Sequence, residues 1–258
     1  MTINSLFYNL NTKLVEDWTG FGLSDLEQKW ARTPLNPKET LKDDPLRALR
    51  ILRFAARFDL KICPEVESAL KEPSLKAHLL KKVSRERVKI EYEKMILGKN
   101  CESAIELIEK FEFFDIIFGI DGIKVKDALS QLGEFKHSKL SFEKYTAGLL
   151  MKFAPKSVSY GEGVLKISDY VGDISLKLSK KQKEVIGKFI EFVPEIEKLS
   201  NQFNVIEAGL IIKELGECWE EALDLLPPVL SHAFFQSVQS NSLTSFYNEP
   251  PLLKVFYT

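Results

Sequence analysis

Residues 40–58, TLKDDPLRALRILRFAARF, constrain this chain more than any other stretch. Asp44 precedes Pro45, and arginines follow at positions 47, 50, 53 and 57. Proline suits the first position of a helix, because its missing N–H has no intrahelical partner there and its φ is already helical. An Asp just before it is a natural N-cap. The pattern predicts a helix over 44–58. At about 3.6 residues per turn, Asp44 and Arg47 fall one turn apart on one side, and Arg50, Arg53 and Arg57 continue that stripe. Leu49, Leu52, Ala55 and Ala56 point mostly the other way, toward a core. The helix would carry a carboxylate at its positive end and a ladder of guanidiniums behind it, an arrangement suited to holding a nucleotide.

The base-facing chemistry follows from donors and acceptors. Cytosine and adenine each present an amino donor beside a ring-nitrogen acceptor on the Watson–Crick edge. Guanine and uracil present a carbonyl acceptor beside a ring N–H. An ionised Asp only accepts and an Arg only donates. A fixed Asp44/Arg47 pair therefore matches C and A and sets like groups against G and U. The charged partners strengthen these bonds, and the remaining arginines would meet phosphates. A solvated helix face behind an N-cap Asp fits the same spacing.

Neighbouring segments narrow the choice. Asp43-Asp44-Pro45-Leu46-Arg47 followed by Leu49-Arg50-Ile51-Leu52-Arg53-Phe54 resembles the amino-acid template motif of the class II CCA-adding enzymes, the tRNA nucleotidyltransferases. TINSLFYNL (2–10) resembles the end of their second head motif. EDWTGFGLSDL (16–26) with ARTPL (31–35) is similar to their head-to-neck motif, and VSRERVKIEYEKMI (83–96) to their last motif. The wording is closest to the fungal members, and beyond residue 120 the resemblance is faint.

This resemblance implies addition of CMP and AMP, from CTP and ATP, to the tRNA 3′ end. Asp44 and Arg47 would pair with the base, Arg50 and Arg53 would support them and contact phosphates, and Asp43 would orient the pair. Arg85, Glu86 and Arg87 would brace the template helix, with Glu91 or Glu93 reaching an arginine of the stripe. Pairing of Glu86 with Lys89 on one exposed helix is the plainer alternative. Family members also begin with a head whose Gly-rich loop and Asp-x-Asp pair hold two Mg²⁺ ions that polarise the phosphate and activate the 3′-hydroxyl. Here Met1 stands where the head motif has the residue after Arg-Asp, so no catalytic residue and no metal ligand is expected in this chain. The expectation is a catalytically incomplete CCA tRNA nucleotidyltransferase-like protein. Its rivals are a non-catalytic nucleotide- or tRNA-binding module, half of a split enzyme whose head is a separate polypeptide, and an inactive helical scaffold.

The expected fold is mainly α, with helical neck and body domains preceded by a short β remnant of a nucleotidyltransferase head. The hairpin and linker occupy 1–36, the neck with the template helix 37–120, a tRNA-facing body 121–236, and a tail expected to be poorly ordered 237–258. Alternation at 3–9 and 12–18 predicts a β-hairpin. Helices are predicted at 64–71, 85–97, 101–112, 124–133, 141–153, 162–178, 180–200, 205–215 and 217–226. Tyr160-Gly161-Glu162-Gly163 reads as a turn. The basic segment 176–188 suits an RNA backbone or a solvated helix start capped by Ser179. His78, His137 and His232 lack ligand-like spacing, and Trp18, Trp30 and Trp219 read as packing residues.

Net charge −1 gives no overall pull toward nucleic acid, but residues 41–96 hold 14 Lys and Arg against 9 Asp and Glu. Three cysteines without CxxC spacing argue against a disulfide framework or a zinc site. No apolar run reaches membrane-spanning length, so no membrane partner is expected and an intracellular location is. Cytoplasm, nucleus and mitochondrion are not distinguished.

Overall fold

The computed structural model describes residues 1–120, 141–241 and 243. It divides into two compact units. The first holds the described residues through Ile120 together with Asp173–Lys177; the second holds 141–172 and the described residues from Leu178 onward. Both are mainly helical, as the sequence patterning predicts.

The first unit opens with a 3-10 turn, Thr2–Asn4, and a two-stranded antiparallel hairpin, β1 (Leu6–Asn9) and β2 (Leu14–Asp17), paired Phe7 to Glu16 and Tyr8 to Val15. The predicted first strand therefore starts three residues late. Asn9 shapes the bend, its Oδ1 accepting the N–H groups of Asn11 and Thr12 at 2.9 and 3.1 Å. Phe7, Tyr8, Leu14 and Val15 are all exposed, and Trp18 is 78% exposed, so Trp18 is not a packing residue in this unit.

The root of the hairpin is anchored by Asp25 of α1 (Gly22–Glu27). That buried carboxylate accepts the Thr2 hydroxyl at 2.8 Å and Arg32 Nε at 3.1 Å, while Thr2 N–H donates to the Arg32 carbonyl. Asp17 organises the loop before α1, accepting from the Thr19 hydroxyl and from the N–H groups of Thr19, Gly20 and Leu23. Gly22 has no room for a side chain: a Cβ would lie 2.7 Å from Leu6 Cδ2 and 3.0 Å from the Thr2 carbonyl.

The centre of this unit is α3 (Arg47–Phe58). Leu, Ala, Arg and Phe sustain it without an interior Gly or Pro, and its apolar stripe is completely buried at Ala48, Leu49, Leu52 and Ala55. It ends on Asp59, a left-handed residue at φ 52°. Leu60 N–H there reaches back to the Ala55 carbonyl at 2.8 Å, a Schellman closure without glycine. The chain then adds β4 (Lys61–Ile62), parallel to β3 (Trp30–Ala31), a pairing too short to leave a sequence pattern.

Around α3 lie α2 (Pro37–Asp43), α4 (Pro64–Leu70), α5 (Pro73–Lys82), α6 (Arg85–Ile96), α7 (Cys101–Lys110) and α8 (Phe114–Phe118). Neither α2 nor α5 was expected, although each opens on proline. Helices α6 and α7 cover the apolar face of α3. Tyr92, Phe111, Phe113, Phe114 and Phe118 fill the space beneath them.

In the second unit, α9 (Phe142–Phe153) packs on α10 (Lys180–Asn201), which Ser179 and Gln182 start with a reciprocal capping box. The helix expected over 162–178 is replaced in its first part by a hairpin, β5 (Ser157–Tyr160) with β6 (Gly163–Lys166), and then by short helical turns. Its turn needs Gly161 at φ 59°, a conformation that favours glycine. Helices α11 (Val205–Leu215), α12 (Trp219–Leu223) and α13 (Pro228–Ser240) complete the unit. Trp219 stacks on Phe235, as a packing residue should. Lys144 is buried and bonded to Asp224 at 2.6 Å. The tail expected to be poorly ordered from 237 begins as helix, since α13 runs through Ser240. The helix expected over 124–133, the residue His137 and the rest of the tail, Asn241 and Leu243 apart, lie outside the described residues. Among the described residues, no helix is long and apolar enough to cross a membrane.

Arg85 was expected to brace the template helix and does not. Its guanidinium donates to the carbonyls of Ile116 (2.9 Å), Ile117 and Ser175, and to Ser175 Oγ (3.1 Å). Two of these carbonyls belong to the last turn of α8, where no intrahelical N–H remains to satisfy them. Arg85→Ala should lower the stability of this unit by about 1.5–3 kcal/mol, the range for hydrogen bonds to charged groups. Urea titration followed by circular dichroism measures it; an unchanged midpoint would show that Arg85 does not hold α8.

Candidate functional site: a charge-braced helix end

Asp43 is the last residue of α2, and Asp44 stands in extended conformation between α2 and α3, at φ −131° and ψ 96°. Asp44 Oδ1 accepts the Leu46 N–H at 3.2 Å, the cap bond its position before Pro45 predicts. Regular α geometry nevertheless begins at Arg47, because the first closure, Arg47 N–H to the Asp44 carbonyl, is of the tighter i to i−3 kind. The other carboxylate oxygen, Oδ2, takes a charged hydrogen bond from Arg87 of α6 at 3.0 Å. Each oxygen has a second lone pair, so Asp44 keeps acceptor capacity.

Arg47 is exposed. Its Nη1 donates to the Thr40 carbonyl at 3.2 Å, near the end of α2, which steadies the guanidinium and leaves its other N–H donors for a ligand. Its charge also reaches the Met1 amino group, whose pKa is pushed down by burial first and by Arg47 second.

One turn further along, Glu91 of α6 bridges two arginines of the stripe. Its Oε1 accepts Arg50 Nε at 3.1 Å and its Oε2 accepts Arg53 Nε at 2.6 Å. The Glu91 side chain is 4% exposed, Arg53 12% and Arg50 48%. A carboxylate so buried is tolerable because both of its oxygens meet charged donors. Both arginines are held through Nε, which leaves terminal NH₂ donors uncommitted to Glu91: on Arg50 at a half-exposed position and on Arg53 at a mostly buried one. Arg53 also lies 4.2 Å over the Phe54 ring.

Arg87 and Glu91 are four residues apart and share one face of α6. That face gives a cation to Asp44 and an anion to Arg50 and Arg53, the inverse of the charge order along α3. Arg87 and Glu91 thus bond to Asp44 and to the stripe arginines, whereas the Arg85 guanidinium bonds to α8 and Ser175. The Glu86 carboxyl is held below its ordinary value by its own N–H first and by the Ser84 hydroxyl second. It serves the start of α6. The physical reason is helical phase: Arg85 and Arg87 lie about 200° apart around α6 at 100° per residue, so they cannot face the same neighbour. The Arg87–Glu91 spacing against the stripe was the readable signal for the brace; Thr40 as the Arg47 anchor left none.

Among the described residues there is no group of three or more His, Cys, Asp or Glu placed to hold a metal ion. The side chains here do not fit a Mg²⁺ centre, and no metal-dependent step is assigned to them. What they offer is a carboxylate with spare acceptor capacity at Asp44, a guanidinium with spare donors at Arg47, and two guanidiniums held at Nε one turn and more along.

Residues 59–120 match the family model described as "Probable RNA and SrmB- binding site of polymerase A". The tRNA nucleotidyltransferase cca1 of Schizosaccharomyces pombe is 34% identical over 260 residues, covering 86% of this chain and 50% of that protein. The mitochondrial CCA tRNA nucleotidyltransferase of Saccharomyces cerevisiae is 44% identical over 117 residues, 45% of this chain and 21% of that protein. The chain thus spans half or less of the length of these relatives. The same fold occurs in the Thermotoga maritima CCA-adding enzyme complexed with tRNA, at TM-score 0.67 and 19% identity, covering 93% of this chain and 58% of that one. It occurs again in a CCA-adding enzyme solved with ATP, at TM-score 0.67 and 19% identity, covering 100% and 61%. By its sequence relatives, this chain belongs to the class II CCA-adding enzyme family, the tRNA nucleotidyltransferases.

Proposed function

We propose that this chain is the nucleotide-selecting neck and tRNA-facing body of a CCA-adding nucleotidyltransferase, acting with CTP, ATP and the tRNA 3′ end. The observation that carries the reading is the braced helix end: Asp44 held by Arg87, and Arg50 and Arg53 held by Glu91. Pre-positioned charges lose little freedom on binding, so the ordering cost of a nucleotide site is met before the ligand arrives. Asp44 and Arg47 pair with the Watson–Crick edge of C or A. The terminal nitrogens of Arg50 and Arg53 take the phosphates, and Asp43 tunes the pair from the end of α2.

Phosphoryl transfer needs metal-binding carboxylates that this set of residues does not supply, and a nucleotidyltransferase head is the proposed source, in the same polypeptide or a separate one. Mg²⁺ held by that head would polarise the phosphate and activate the 3′-hydroxyl. The hairpin β1–β2 supports this: it exposes Phe7, Tyr8, Leu14 and Val15, and its outer edges have no strand partner among the described residues. An exposed apolar hairpin with open edges is built to be covered.

The chain by itself, given Mg²⁺, CTP, ATP and a tRNA lacking its CCA end, should incorporate no labelled CMP. Incorporation that co-purifies with this polypeptide would place the metal site within it.

Base choice is the sharper test. In calorimetric titrations CTP and ATP should bind more tightly than GTP and UTP by about 1 kcal/mol, roughly fivefold, the low end of the cost of leaving a polar group unpaired, as suits a partly exposed site. Asp44→Asn keeps the cap but adds an amide donor, so it should erase that preference while thermal stability stays near the parent. Equal affinity of the parent for all four nucleotides would reduce the site to phosphate attraction.

Glu91→Ala should act differently. It frees Arg50 and Arg53 to swing, so all four nucleotides should weaken by a similar factor, and stability should fall by about 1–3 kcal/mol. A change confined to C and A would assign Glu91 to base recognition instead.

A further inference from the structure

At the far end of α3 lies an open pocket of about 640 Å³ lined by α3, α6 and the start of α7. Its volume is in the range of small-ligand sites. Four cations line it, Arg53, Arg57, Lys94 and Lys99, against a single anion, Glu93. Its floor is apolar, with Ala56, Met95 and Ala104. Arg57, Lys94 and Lys99 are exposed and have no ion pair or hydrogen bond among the described residues, whereas the stripe arginines nearer the template are all engaged. Convergent cations left uncompensated raise a local positive potential that draws phosphate.

Beside the pocket is a stack of flat groups. Phe54 and Phe58 lie parallel, 5.9 Å apart, with the Arg53 guanidinium 4.2 Å over Phe54 and the Arg57 guanidinium 5.2 Å over Phe58. Phe58 is exposed. Aromatic and guanidinium planes beside a positively charged groove are the parts from which single-stranded nucleic acid sites are made, the planes for bases and the cations for backbone.

Arg57 is ten residues beyond Arg47, about 15 Å along the helix at 1.5 Å per residue. Arg53 is shared with the phosphate role proposed above, but Arg57, Lys94 and Lys99 are not, which leaves them for a different anion.

We propose that this pocket and the Phe54–Phe58 stack form a second site that takes single-stranded RNA, one phosphodiester among Arg57, Lys94 and Lys99 and an unpaired base against Phe58. The proposal rests on the RNA part of the function above and gives it a place; it does not depend on base choice at Asp44.

The test is fluorescence anisotropy of a short unstructured oligouridine RNA titrated with the whole chain over a range of salt. Arg57→Ala/Lys94→Ala/Lys99→Ala should weaken binding at least tenfold. It should also flatten the salt dependence by about 0.7 in log–log slope for each phosphate no longer neutralised. A matched control on exposed lysines elsewhere in this unit, Lys13→Ala/Lys61→Ala/Lys81→Ala, should leave both values near the parent. Phe58→Ala should weaken binding about fivefold without changing the slope, and Phe58→Tyr should restore it. Circular dichroism confirms that each variant is folded. Asp44→Asn should leave RNA binding intact, so a failure of the template reading is distinguishable from a failure here. The proposal is overturned if the parent does not bind the RNA, or if the pocket and control triples behave alike. It is also overturned if CTP displaces the RNA completely, which would make the pocket a seat for the nucleotide's own phosphates.

Discussion

One buried carboxylate organises the first unit. Glu91 places its two oxygens on the Nε atoms of Arg50 and Arg53, and without it two guanidiniums of α3 would have no fixed direction. Such a bridge is weak evidence for stability, since desolvating the charges costs nearly what their attraction returns. What it supplies is orientation. Each of these two arginines is pinned by its inner nitrogen, so this part of the stripe has a fixed direction. Arg87, four residues earlier on the same helix, does the complementary service for Asp44.

The rest of the unit keeps α3 and α6 in register. Their buried apolar faces set the spacing. The Asp59 closure ends α3 so that β4 can pair with β3, and Asp25 ties the hairpin root to the same frame. Arg85 secures α8. The proposed template end and the proposed RNA pocket lie at opposite ends of one helix braced by one partner, which gives a nucleotide and an RNA strand a common ruler.

What was legible in the sequence follows from periodicity. The template helix carried three signals that agree, an N-cap, a proline at the first position and an apolar stripe of helical period, and the cap bond from Asp44 to Leu46 is formed. Where signals conflicted the reading failed. Apolar residues at 164, 165, 167, 170, 171 and 174 mimic a helix, but Gly161 at positive φ turns the chain back and the first part of that segment becomes a hairpin. The run Arg85-Glu86-Arg87 reads as one charged cluster, yet rotation about α6 sends its members to different places. Partners that are carbonyls, such as Thr40 for Arg47 or Ile116 for Arg85, leave no residue-type signal at all.

The most direct measurement of how the braced helix works is side-chain NMR of the chain with isotopically labelled arginine and aspartate, titrated separately with CTP and UTP. Both nucleotides should move the guanidinium resonances of Arg50 and Arg53, because both carry the same phosphates. Only CTP should move Arg47 and the Asp44 carboxyl, because only cytosine offers a donor and an acceptor that match them. Equal perturbation of Asp44 and Arg47 by the two nucleotides would contradict a template at this helix end.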